Sequence, residues 1–240
     1  MAHFVLVHGA WQGAWVWQAV TAGLVMRGHD VCTFDLPGSG TNRTPLAEVT
    51  LAGYAARIAA AVRAAGNPVT LVGHGMGGMA CAAAAELVPD HLARLLYLCA
   101  FAPRDGDTLS GLLTLSPKYP LPPTQGTAAG LALSIPREFR VASFMHDAPA
   151  PVAHWAAAQF REQALAPFGE PVRLTPARYG QVASSYVVCT EDRLLAPAMQ
   201  RQMADRTGCS RILALPASHS PFLSDPWCVA QTLHRLATEN

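Results

Sequence analysis

Charge is scarce in this chain of 240 residues: 14% are Asp, Glu, Lys or Arg, and the formal net charge is +1. Lysine is nearly missing, Lys118 standing alone among the 17 basic residues. The arginines are scattered, which excludes the basic face of a nucleic-acid-binding protein. No apolar run reaches the ~18 residues of a membrane span, so no membrane partner is expected. No basic head with an apolar stretch behind it precedes Phe4, which predicts no export signal and a cytoplasmic location. Cys32, Cys81, Cys99, Cys189, Cys209 and Cys228 form no C-x-x-C pair, the pattern of free thiols in a reducing compartment. No two histidines have helix-face metal spacing with a carboxylate nearby, so neither a metal nor another cofactor is expected.

What the chain has is apolar residues, 51% of the total. They fall in short runs: Phe4–Val7, Val31–Leu36, Val69–Val72, Leu95–Ala100, Tyr186–Cys189 and Ile212–Leu215. Runs of that length without alternation suit strands buried on both faces, as in a parallel sheet. Helical spacing fills the gaps. It covers Trp15–Arg27, then a helix capped by Thr50 and ended by Gly66, the alanine-rich Met76–Leu87, Pro197–Arg206 and Asp225–Leu236. The alternation predicts an α/β fold, a doubly wound and mostly parallel sheet. Residues 104–180 interrupt it. They hold about half of the 19 prolines and few β-branched residues, and a structureless loop of that length is rare. They predict a largely helical cap, with one helix over Pro149–Ala164, inserted in a core made of 1–103 and 181–240.

Val69–Val72 leads into Gly73-His74-Gly75-Met76-Gly77-Gly78 and a helix. The frame G-x-S-x-G at a strand–turn–helix junction is a nucleophile elbow, which holds a serine in a strained turn at the carboxyl end of a strand. Here the central position is Gly75, which relieves strain of about 1–3 kcal/mol and removes any attacking group. Asp192 follows one predicted strand and His219 the next. The order nucleophile, acid, histidine is that of a hydrolytic triad in which the acid fixes the tautomer of the base. His8-Gly9-Ala10-Trp11 follows the first strand, and His8 is expected to hold backbone nearby. The amides of Ala10 and Met76 are the expected oxyanion donors.

These segments resemble the plant-type methylesterase and hydroxynitrile lyase family of α/β hydrolases and its bacterial esterase relatives. The likeness runs through Phe4–Trp11 with Gly13-Ala14-Trp15, Phe34–Gly40, Val72-Gly73-His74, Met76-Gly77-Gly78, Leu98–Pro103, and His219-Ser220-Pro221. The spacing of Asp192, Pro197 and Gln200 is a further family mark. The resemblance implies an α/β-hydrolase fold with Asp192 and His219 catalytic and Gly75 at the nucleophile position. The substrate pocket is expected beside Trp11, Phe101, Leu194 and Phe222. Two departures bear on chemistry. Gly9 stands where the lyases carry threonine, and Ser220 where they carry lysine, which points to the esterase branch. Gly75 itself is incompatible with ordinary acyl-enzyme turnover.

The leading expectation is therefore an esterase-type hydrolase of a hydrophobic small-molecule ester or lactone, its serine position occupied by Gly75 through engineering or natural loss. A nucleophile-independent lyase, decarboxylase or cyclase using His219 and the oxyanion hole is the alternative. A ligand-binding protein on a hydrolase scaffold is the second. The assembly state is open, with a homodimer among the options.

Overall fold

The computed structural model describes residues 1–66, 68–116, 122–127 and 129–239. The core elements of the first half are β1 (His3–Val7), α1 (Gln18–Val25), β2 (Asp30–Thr33), α2 (Leu51–Ala65), β3 (Val69–His74), α3 (Gly77–Leu87) and β4 (Leu92–Leu98). The region 104–180 contributes α4 (Leu109–Leu113), β5 (Gln125–Gly126), β6 (Ala132–Ser134), α5 (Arg137–Phe144), α6 (Ala150–Gln159), β7 (Gln163–Ala164) and α7 (Ala166–Gly169). The chain returns to the core with β8 (Ser184–Cys189), α8 (Pro197–Thr207), β9 (Arg211–Leu215), α9 (Pro221–Ser224) and α10 (Pro226–Thr238).

The main sheet has six strands in the order β2-β1-β3-β4-β8-β9, and every pairing is parallel. The interior strands β3 and β8 are buried throughout, as their largely apolar stretches Val69–Val72 and Tyr186–Cys189 require. α1 packs on α10 and α2 on α3. Local chemistry sets the element ends. The Thr50 hydroxyl accepts from the Gly53 N–H at 2.9 Å to start α2, which stops at Gly66, where φ is +84°. β2 is shorter than its apolar run predicts. It ends at Thr33 because the Asp35 carboxylate, two residues on, pulls the chain out of the sheet. That carboxylate accepts from the Ala14 N–H at 2.7 Å and from the N–H and hydroxyl of Thr41, each at 2.8 Å. Burial opposes its ionisation, but these bonds outweigh burial and hold it below the usual carboxylate range.

The cap is less helical than the sequence predicts. β5, β6 and β7 form a three-stranded antiparallel sheet. The helix expected over Pro149–Ala164 is only α6, and Gln163–Ala164 are strand. The break falls at Phe160, whose φ and ψ of −60° and 137° leave the helical region. His29 is buried, and its Nε2 lies 2.8 Å from Nδ1 of His234.

Candidate active site

Gly75 occupies the sharp turn between β3 and α3 with φ of +53°, the left-handed conformation that an elbow imposes. Two hydrogen bonds fix the turn: the Gly75 carbonyl accepts from the Gly78 N–H at 3.2 Å and from the Phe101 N–H at 3.0 Å. A Cβ built on Gly75 would stand 3.3 Å from His219 Nε2 and 3.6 Å from the Gly9 Cα. The missing side chain would thus point at the histidine. Its neighbour Gly78 has no such room, since a Cβ there meets the Phe101 carbonyl oxygen and the Ala100 side chain.

His219 lies in the loop between β9 and α9. Its Nδ1 is 2.7 Å from Asp192 Oδ2, and both side chains are almost fully buried. A carboxylate only accepts, so Nδ1 carries the proton and the Nε2 lone pair faces Gly75. Asp192 is held in turn. Oδ1 accepts from the Leu194 and Leu195 N–H groups at 2.7 and 2.8 Å, and Oδ2 from Gln200 Nε2 at 3.0 Å. This explains the spacing of Asp192, Pro197 and Gln200. Pro197 opens α8, and the first turn of that helix carries Gln200 back beneath the carboxylate. There its Oε1 also accepts from the Cys189 N–H at 3.0 Å.

The histidine backbone is anchored as well. The His219 carbonyl accepts from His74 Nε2 at 2.8 Å and from the Cys99 thiol at 3.3 Å. The His74 ring lies against that of His219, centroids 4.6 Å apart. Burial pushes the His74 pKa well below the usual histidine value, with the charge of His219 adding to the effect. A neutral His74 can donate this bond without placing a second charge beside the base. His74, Cys99 and His219 offer ligand atoms within 4.8 Å of one another. The His74 Nε2–H and the Cys99 thiol both donate to the His219 carbonyl, and burial pushes the Cys99 thiol well above its ordinary pKa. On the oxyanion side, the His8 Nε2 accepts from the Leu36 N–H at 3.1 Å and its Nδ1 bonds the Gly9 carbonyl at 2.8 Å. His8 therefore braces the loop that carries Ala10.

A cavity of about 30 Å³ lies over Gly75, room for a water by the criterion of about 10–15 Å³. Ala10, Met76 and His219 line it, and among the described residues the N–H groups of Ala10 and Met76 have no internal acceptor. Its remaining wall is apolar. Of the expected pocket residues, Trp11, Phe101 and Leu194 line it; Phe222 does not. α9 turns Phe222 against Trp17 and His74, with ring centroids at 5.1 and 4.8 Å. It borders a separate cleft of about 660 Å³ between α1 and α6 that touches none of the residues around Gly75. The cap supplies walls that sequence reasoning missed: Leu109, Leu113, Phe144 and Phe168, with Leu195 from the core. Phe144 sits edge-on to the His219 ring at 5.7 Å. Asp147 accepts from the Ser218 N–H at 2.8 Å, tying the cap to the histidine loop. Only an amphipathic reading of α5, in which Phe144 is the one fully buried residue, could have singled Phe144 out.

A six-stranded parallel sheet, a strand–turn–helix elbow and a buried His–Asp pair facing it define the α/β-hydrolase class. The Alpha/beta hydrolase family model matches residues 4–229, and the chain belongs to that family. Methylesterase 7 of Arabidopsis thaliana is 30% identical over 93% of this chain and 91% of its own length. Salicylic acid-binding protein 2 of Nicotiana tabacum is 29% identical, covering 98% of this chain and 96% of its own. Tomato methylketone synthase I shares the fold, with a TM-score of 0.89 at 24% identity over 99% of this chain and 98% of its own. The protein is an enzyme of the carboxylic ester hydrolase type. Among the described residues no helix is long and apolar enough to cross a membrane.

Proposed function

We propose that the protein hydrolyses a hydrophobic small-molecule carboxylic ester or lactone, with His219 activating water where relatives of this class use a serine. The observation that carries the proposal is the His219 Nε2 lone pair, aimed at the space above Gly75 and held there by Asp192 at 2.7 Å. Nε2 takes a proton from a water in that space as its oxygen attacks the ester carbonyl carbon. The N–H groups of Ala10 and Met76 meet the charge that develops on the carbonyl oxygen. Collapse breaks the bond to the leaving oxygen, which takes the proton back from His219 as a hydroxyl, released as an alcohol from an ester and retained in the ring-opened hydroxy acid from a lactone. The apolar wall favours an uncharged acyl group. Removing the nucleophile from such a triad costs about 10⁴–10⁶ in rate, so turnover is slow.

A second reading draws on the same vacant position. With no side chain at Gly75, the carbonyl of an enolisable substrate fits between His219 and the two amides. His219 then moves a proton at the neighbouring carbon. Solved structures of the relative methylketone synthase I hold 2-tridecanone and, in a histidine variant, β-ketoheptanoate. The two readings separate when the native chain and its His219→Ala variant are offered aryl esters, lactones and β-keto acids in parallel. Slow, His219-dependent ester or lactone hydrolysis supports the proposal. His219-dependent decarboxylation at turnover rates overturns it in favour of the lyase. Binding of a panel member with no turnover overturns both and leaves a ligand receptor.

A further inference from the structure

Gln163 belongs to the cap, yet its side chain ends at the loop that carries the oxyanion donor Ala10. It is 2% exposed, a deep position for an amide. Its Nε2 lies 3.2 Å from the Ala164 carbonyl and 3.0 Å from the Tyr54 hydroxyl of α2. A carbonyl only accepts, so this end is the NH₂ and the other is the oxygen. That oxygen accepts from the Trp11 N–H at 3.3 Å. Trp11 follows Ala10 directly and has φ of +62°, a conformation that side-chain-bearing residues adopt only when their surroundings hold them in it. The holding groups all come from the cap. Besides Gln163, the Leu133 carbonyl of β6 accepts from Trp11 Nε1 at 3.0 Å, and the Trp11 carbonyl accepts from the Arg161 N–H at 2.9 Å.

We propose that Gln163 is a positioning residue for the oxyanion hole. It locks Trp11 in its left-handed conformation and thereby aims the Ala10 N–H into the cavity, so that the donor is in place only when the β6–β7 edge of the cap is seated. The link to catalysis rests on the hydrolase reading; the link between Gln163 and Trp11 does not. The cap strand thus does more than wall the pocket: it completes the charge-stabilising half of the site, the half that a misplacement of about 1 Å degrades by up to about 10²-fold.

The test uses Gln163→Met, which keeps the length without the hydrogen bonds, and Gln163→Glu, which keeps an acceptor for the Trp11 N–H. Amide hydrogen exchange is read at Trp11 in the full chain. Exchange at Trp11 is expected to quicken at least about tenfold in Gln163→Met, with the β3 and β8 amides unchanged, and to stay near native in Gln163→Glu. The same changes in a Gly75→Ser chain are read on p-nitrophenyl butyrate. kcat should fall about 10–100-fold in Gln163→Met with KM little altered, and Gln163→Glu should recover most of it. Unchanged Trp11 exchange in a folded Gln163→Met overturns the proposal, and so does a loss confined to KM. If Gly75→Ser itself is inactive, the hydrolase reading fails, and the exchange data alone decide whether Gln163 holds Trp11. If Gln163→Met fails to fold, Gln163→Ala takes its place: faster Trp11 exchange with the sheet amides unchanged supports the lock, and native Trp11 exchange overturns it.

Discussion

His219 Nε2 and the Cβ direction of Gly75 converge: an ideal Cβ at position 75 would lie 3.3 Å from that nitrogen. The base, its carboxylate partner and the elbow backbone stand as they would around a nucleophile, and the side chain between them is the part this chain does not carry. The slight closeness of 3.3 Å is met by a shift of a few tenths of an ångström in the ring, and His219 has Asp192 on its far side to guide it back.

The two elbow glycines should respond differently to the same change. Gly75→Ala adds a methyl that the His219 ring can accommodate by a small shift and incurs the left-handed backbone penalty of about 1–2 kcal/mol. Gly78→Ala drives its methyl into the Phe101 carbonyl and the Ala100 side chain, and backbone cannot retreat as a flexible side chain can. Its expected cost is about 3 kcal/mol or more. Urea unfolding of both variants checks this; equal costs would show that the elbow is looser than its contacts indicate.

In a Gly75→Ser chain, Asp192→Asn should lower kcat on aryl esters by about 10⁴-fold with little change in KM. Its amide NH₂ would face Nδ1 and favour the wrong imidazole tautomer. Steady-state kinetics are the measurement. A loss under about tenfold would mean that Asp192 contributes packing rather than tautomer control.

Acid should destabilise the fold through buried histidines. Burial lowers the pKa of His8 below 6.5, and that of His74 well below it, with His219 as a further cause for His74. An unfolded chain binds protons at both sites below about pH 6.5, while the folded chain does not. Their stabilising contribution is therefore fully present above that pH and is lost as pH falls through it toward the folded values. Melting temperatures should be flat from about pH 8 to 7 and decline below about 6.5. His74→Gln should reduce the slope of the decline. An undiminished slope in His74→Gln would assign the loss to other groups.

The core strands, the elbow, Asp192 and His219 were legible in sequence because each has a local signature: a mostly apolar run, a glycine frame, or an ionisable residue just past a strand. What escaped was built by pairing across distance. β5 has two residues, β6 three and β7 two, too few for any periodicity to register, so an alanine- and proline-rich stretch read as helix. Phe222 follows the histidine in sequence, but the short helix α9 rotates it away from the cavity. Phe144 and Phe168 come to the cavity from the cap; only the amphipathic pattern of α5 marks Phe144, and nothing in its neighbours marks Phe168. Gln163 reads as an ordinary polar residue at a helix end. Only the strained Trp11 across from it shows what it does.

The most direct test of the central claim, an ester-hydrolase site complete except for its nucleophile, is intact-mass analysis of Gly75→Ser after exposure to diethyl p-nitrophenyl phosphate. One diethylphosphoryl group should attach at position 75, through attack of the introduced hydroxyl on phosphorus and loss of p-nitrophenolate. The native chain should take none there, and His219→Ala in the same background should slow labelling by about 10³-fold or more. A folded Gly75→Ser protein that stays unlabelled would contradict the account.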